Sequence, residues 1–130
     1  MFLSMLDNDQ QRAFAVLANR MVAADGTVNV EEREALRRLR AELRVTDSDL
    51  EDRDESVLAA VFDSRRAKVV ALLELLGLAY SDREFHLDEQ SMITAVAHEM
   101  AISADDLGRL NRWVQEHVRH IESAFELMAG

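Results

Sequence analysis

Acidic side chains recur along this chain at a spacing that suits a divalent cation. Asp25 and Gly26 are followed by Glu31 and Glu32 within AADGTVNVEERE, and Asp82 is followed by Asp88 and Glu89 within SDREFHLDEQ. The offset between matched acids is constant: 82 − 25 = 57 and 89 − 32 = 57. Carboxylate oxygens are hard ligands, and a short turn that gathers several of them is a common protein site for calcium.

The first turn can be tested against an EF-hand loop, which takes oxygens from its first, third and fifth residues. That loop has Gly at the sixth and a bidentate Glu at the twelfth. With Asp25 fifth, Gly26 falls sixth, Val28 eighth and Glu32 twelfth, a good downstream fit. The first and third places are Met21 and Ala23, which carry no side-chain oxygen. The second turn has Leu78 and Tyr80 at those places and Arg83 in place of glycine. A left-handed backbone at Arg83 would cost about 1–2 kcal/mol. Neither turn is an ordinary EF-hand. Each supplies one Asp, one Glu and a backbone carbonyl, so a cation would also need water, Glu31, Glu84, Asp88 or a partner. The competing reading is structural: Asn29 caps a helix, Glu32 reaches back to its N–H, and acids in a first turn suit the helix dipole.

The elements that must position these turns read as helices. Phe14, Leu17, Ala18, Met21 and Val22 share one face of a helix over about 8–24, closed at Asp25-Gly26. Leu36, Leu39 and Leu43 stripe a second over about 30–43. Thr46…Asp49 reads as a capping box opening a short third helix, and an apolar helix spans 57–62. The stretch 65–80 is apolar almost all round, which places it centrally, and Gly77 in it would admit a close neighbour. Ile93, Val96 and Met100 stripe a helix over about 87–101. Ser103…Asp106 opens the last helix, along which Leu107, Leu110, Val114, Val118, Ile121, Phe125 and Met128 form one apolar seam.

The 57-residue shift also carries Leu36, Leu39 and Leu43 onto Ile93, Val96 and Met100, and Thr46…Asp49 onto Ser103…Asp106. Two copies of a helix–acidic turn–helix unit follow, about 16–50 and 73–107. The expectation is an all-α, single-domain bundle of about seven helices built on a pseudo-twofold repeat.

Composition narrows the function. The chain has 130 residues, no proline, no cysteine and four glycines. A net charge of −10 opposes nucleic-acid binding and adhesion to an anionic membrane, and favours cations or basic protein patches. No disulfide or thiolate metal site can form. The apolar start, Met1 to Leu6, lacks the basic region of a signal peptide, and the run from Val69 to Tyr80 is too short to span a membrane. No phosphate loop, nucleophile set or triad is present, so an enzyme is not expected. His117 and His120 have a spacing that could share a metal, but packing or surface roles weigh more. His86, in the second turn, reads as a helix cap before a ligand. Arg65, Arg66 and Lys68, the one lysine, crowd a helix start against its dipole, and pairing with Asp63 or Glu55 would compensate.

The segments MVAADGTVNVEERE and LAYSDREFHLDEQ, each followed by a helix, resemble the paired signatures of TerB-like, tellurite-resistance-associated domains. The resemblance runs from about residue 10 to residue 128. It implies an all-helical, pseudo-symmetric fold and a divalent cation, calcium first, held by Asp25, Glu31 and Glu32 and by Asp82, Asp88 and Glu89. Members commonly have Asp-Gly in the second segment, where this chain has Asp82-Arg83. A role in bacterial metal or stress response through protein contact is implied, with a TerC-like membrane protein or a TerD-like protein as partner. The place implied is the cytoplasm, peripheral to the inner membrane through that partner, with no organic cofactor. The alternative is a metal-free helical adaptor whose turns only fasten helices.

Overall fold

The computed structural model describes residues 2–24, 30–46, 53–80 and 87–130. They form a 3-10 turn, Leu3–Met5, and six α-helices: α1 Asn8–Val22, α2 Val30–Leu43, α3 Glu55–Ala60, α4 Arg65–Ala79, α5 Leu87–Glu99 and α6 Ala104–Ala129. No strand occurs among the described residues, and the chain is an all-helical bundle. The short helix expected after Thr46 and the cap at Asn29 lie outside the described residues.

Local chemistry explains where the helices begin. Asp7 and Gln10 form a reciprocal capping box on α1: Asp7 Oδ1 accepts the Gln10 N–H at 2.8 Å, and Gln10 Oε1 accepts the Asp7 N–H at 3.0 Å. Ser64 Oγ accepts the Ala67 N–H at the start of α4, and Ser103 Oγ accepts the Asp106 N–H at the start of α6, both at 3.1 Å. Helix α3 lies two residues upstream of its expected span. Its N-cap is Asp54, and Phe62 falls beyond its end as a fully buried side chain.

Two helix ends share one geometry. After α2, Arg44 has φ 55°, its N–H donates to Ala41 O at 3.3 Å, and the Val45 N–H donates to Arg40 O at 3.0 Å. After α5, Ala101 has φ 59°, its N–H donates to His98 O at 3.0 Å, and the Ile102 N–H donates to Ala97 O at 2.9 Å. Both are Schellman closures, with the following apolar residue, Val45 or Ile102, buried. Each atom pair of the second lies 57 residues beyond its match in the first.

Helix α4 occupies the middle, packed against α1, α5, α6 and the 3-10 turn. Its Leu72, Leu75 and Leu76 join Phe14, Leu17, Met21, Phe62, Ile93, Val96 and Met100 in one core. Leu3 and Leu6 close one side of that core, so the apolar N-terminal residues act as a plug. Gly77 admits no close neighbour: nothing lies within 4 Å of where its Cβ would stand. Arg65 pairs with Asp106 of α6 at 2.9 Å rather than with Asp63, which accepts from Gln10 Nε2 at 3.2 Å. The seam of α6 divides: Leu107, Leu110, Val114 and Val118 pack on the core, while Ile121, Phe125 and Met128 are exposed.

Candidate metal centre

Each acidic turn runs between a helix that ends on the core and one that starts at the turn's exit. α1 ends where the Ala23 N–H donates to Asn19 O, and α4 ends where the Tyr80 N–H donates to Leu76 O, again 57 residues apart. Residues 25–29 and 81–86 are outside the described residues, so Asp25 and Asp82 have no stated position. The other four predicted ligands stand in the first turns of α2 and α5.

Those four divide into two pairs. Glu31 and Asp88 are exposed, whereas Glu32 is 3% and Glu89 is 1% exposed. Successive residues on a helix point about 100° apart, so the second residue of each helix faces water and the third turns inward. Among the described residues, Glu32 and Glu89 are the buried acids. They occupy the same register, third in α2 and third in α5. Burying a carboxylate costs several kcal/mol unless a cation or hydrogen-bond donors offset it. Two kinds of group can meet that cost at the third residue of a helix. A nearby cation is one, and the free N–H groups and positive dipole end of a first helical turn are the other.

The flanks of the turns are tied down by side chains that sequence patterns did not single out. At the first, Arg40 Nη2 of α2 donates to Asn19 Oδ1 of α1 at 2.9 Å, joining the two helices that bracket the turn. At the second, the Tyr80 hydroxyl donates to Asn111 Oδ1 at 2.9 Å and accepts from Gln115 Nε2 at 3.0 Å, pinning the turn's entry to α6. Buried Gln10 donates to Val61 O at 3.3 Å as well as to Asp63, bridging α1 to the α3–α4 connection. The signal for Gln10 was present as Asp7-x-x-Gln10, a capping box with Asp in place of Ser or Thr.

Among the described residues, which omit Asp25 and Asp82, no three acids or histidines converge as metal ligands would. What the described residues supply is one buried carboxylate per turn, with an exposed acid beside it. That matches the donor chemistry of calcium and falls short of its six to eight oxygens.

No protein-family model, curated protein or solved structure matches this chain.

The two histidines of α6 have different surroundings. His117 stacks on Trp113, ring centroids 5.2 Å apart and planes 5° from parallel, and the Phe2 ring lies tilted 6.1 Å from that indole. His120 is exposed. A groove of about 350 Å³ lies between α5 and α6, lined by Ile93, Ala97, His98, Ile102, Leu107 and Asn111 among others. Among the described residues that line it there is no carboxylate. Among the described residues no helix is long and apolar enough to cross a membrane.

Proposed function

We propose that this chain is a non-enzymatic, TerB-like helical module that binds a divalent cation at its acidic turns and acts through protein contacts. The observation that carries the reading is the matched burial of Glu32 and Glu89. In it, Glu32 with Asp25, and Glu89 with Asp82, supply the inner carboxylates of two half-sites. Glu31 and Asp88 stand at the rim, where they bind directly or through water. Calcium fits best, because all six side chains offer oxygen and none offers nitrogen or sulfur. The cation would neutralise buried charge and fasten α1 to α2 and α4 to α5.

The 57-residue correspondence of helix ends, buried acids and apolar stripes supports reading the bundle as two units related by a pseudo-twofold axis. Under this reading, the role is in bacterial metal or stress response. The protein sits in the cytoplasm and reaches a membrane only through a TerC-like or TerD-like partner.

A second reading has its own support. Glu32 and Glu89 each lie in a first helical turn, where backbone N–H groups can satisfy a carboxylate without metal. One experiment separates the two: thermal unfolding of the wild type, Asp25→Asn with Asp82→Asn, and Glu32→Gln with Glu89→Gln, each in calcium and in chelator. Cation binding predicts that calcium raises the wild-type midpoint and leaves both double variants where chelator leaves them. If calcium moves no protein, or moves all three equally, the turns are structural only.

A further inference from the structure

Acidic side chains outnumber basic ones in this chain, 25 to 15, yet one groove reverses the balance. It lies between α1 and α2, has a volume of about 420 Å³ and is lined by Val22, Leu36, Arg33, Arg37 and Arg40 among others. No acid is among the described residues that line it. The three arginines follow one another at steps of four and three, so one face of α2 carries them all. Val22 is buried and Leu36 half-buried, which sets apolar surface beneath the charges. Arg40 is half-buried, and its Nη2 donates to Asn19 Oδ1 at 2.9 Å. Arg33 and Arg37 are exposed. Arg37 pairs with Glu34 at 3.4 Å, a solvated contact that another carboxylate displaces at little cost.

The second unit has the same groove without the charge. Asn19, Arg33, Leu36, Arg37 and Arg40 correspond, 57 residues on, to Leu76, Gln90, Ile93, Thr94 and Ala97, and all five of these line the groove between α5 and α6. The fold makes the groove in both units and does not need arginine to make it. The arginines belong to the first groove alone, and their charge is complementary to an anionic ligand.

We propose that the α1–α2 groove receives an acidic segment of a partner protein, with carboxylates on Arg33 and Arg37 and an apolar side chain between them on Val22 and Leu36. Such contact is the protein-binding half of the function proposed above, on which it rests, and needs no cation at the turns. Guanidinium forks hold carboxylates by two parallel hydrogen bonds, and arginine clusters are a recurring means of reading acidic motifs. The spacing suits an extended chain. Arg33 and Arg37 are about one turn apart, roughly 6 Å of rise. Alternate residues of an extended peptide are about 6.6–6.8 Å apart and point the same way. Acids at alternate positions therefore meet the two arginines, while the residue between them turns toward α1 and Val22. A nucleic-acid strand is the weaker occupant. It also presents a row of anions, but the net charge of −10 repels it, and no aromatic side chain is among the described residues lining the groove for a base to stack on.

The test is fluorescence anisotropy of a labelled Gly-Glu-Leu-Glu-Leu-Glu-Gly peptide titrated with the full chain in chelator, so that a failure of cation binding leaves the readout untouched. Saturable binding is expected, weakening as salt rises from about 0.05 M to about 0.5 M because the Debye length falls to a few ångströms. Arg33→Glu and Arg37→Glu should each weaken it about tenfold or more, with the unfolding midpoint unchanged because both side chains are exposed. Gln90→Glu with Thr94→Glu changes the net charge by the same amount in the matching groove and should alter binding less than about twofold. A peptide with serine in place of leucine should bind at least about fivefold more weakly. Absence of saturable binding, arginine reversals no worse than the Gln90 and Thr94 control, a leucine-free peptide that binds equally, or a labelled oligothymidylate that binds more tightly would each overturn the proposal. So would a wild type that refuses the peptide while Asp47→Asn with Asp49→Asn and Glu51→Gln accepts it, because the chain's own acidic stretch would then be the occupant.

Discussion

Replacing Ala101 by glycine should make this protein more stable, and the size of the gain follows from the backbone. Ala101 closes α5 at φ 59°, in the left-handed region, with its N–H on His98 O and the Ile102 N–H on Ala97 O. An L-residue with a Cβ costs about 1–2 kcal/mol there, and glycine avoids that cost. Glycine also widens the unfolded ensemble, which returns about 0.5–1 kcal/mol. The net gain is about 0.5–1 kcal/mol, or roughly 2–5 °C in Tm for a chain of this size. The assay is thermal unfolding followed by circular dichroism, paired with urea titration. Ala95→Gly is the control: that alanine is exposed within α5, where the same substitution should cost about 1 kcal/mol. Opposite signs for one chemical change at two positions of one helix would be hard to obtain from anything but the φ angle. A fall in Tm for Ala101→Gly comparable to that for Ala95→Gly would refute the reasoning. Arg44→Gly, at φ 55° after α2, should repeat the gain.

Gly77→Ala should raise stability by about 0.5–1 kcal/mol, because a Cβ there meets nothing within 4 Å and the helix interior prefers alanine; differential scanning calorimetry reads the shift. Leu75→Ala, at a fully buried position of α4, should cost about 2–5 kcal/mol in chemical denaturation, with m unchanged if only the core is altered. Ser103→Ala removes the acceptor for the Asp106 N–H and should cost about 1 kcal/mol in the same assay, while Ser103→Asp retains most of the stability.

Where local rules govern, the residues announced the structure. The stripes Phe14–Val22, Leu36–Leu43 and Ile93–Met100, the Ser103 cap and the apolar circumference of α4 are consequences of 3.6-residue periodicity and first-turn hydrogen bonding. They gave the helices to within a residue or two. Helix α3 begins two residues before its expected span, after Asp54, whose side chain makes no capping hydrogen bond, so no local signal marked its start.

Other features depended on what the helices meet. Glu31 and Glu32 are the same residue type one position apart, as Asp88 and Glu89 are near equivalents. Only the packing of α2 and α5 turned one of each pair into the bundle and left the other in water. The sequence likewise wrote an unbroken apolar seam from Leu107 to Met128. It stopped being a core seam after Val118, past Asn111 and Gln115, where Tyr80 at the end of α4 meets α6, a relation between two helices that neither one encodes alone. Arg65 reached Asp106 instead of Asp63 because the bundle places α6 beside the start of α4 while Gln10 engages Asp63. Composition, caps and periodicity, then, determined which residues become helix and where helices end. Tertiary structure decided which carboxylates are buried and which apolar side chains stay uncovered, because burial depends on the neighbours that surround a residue.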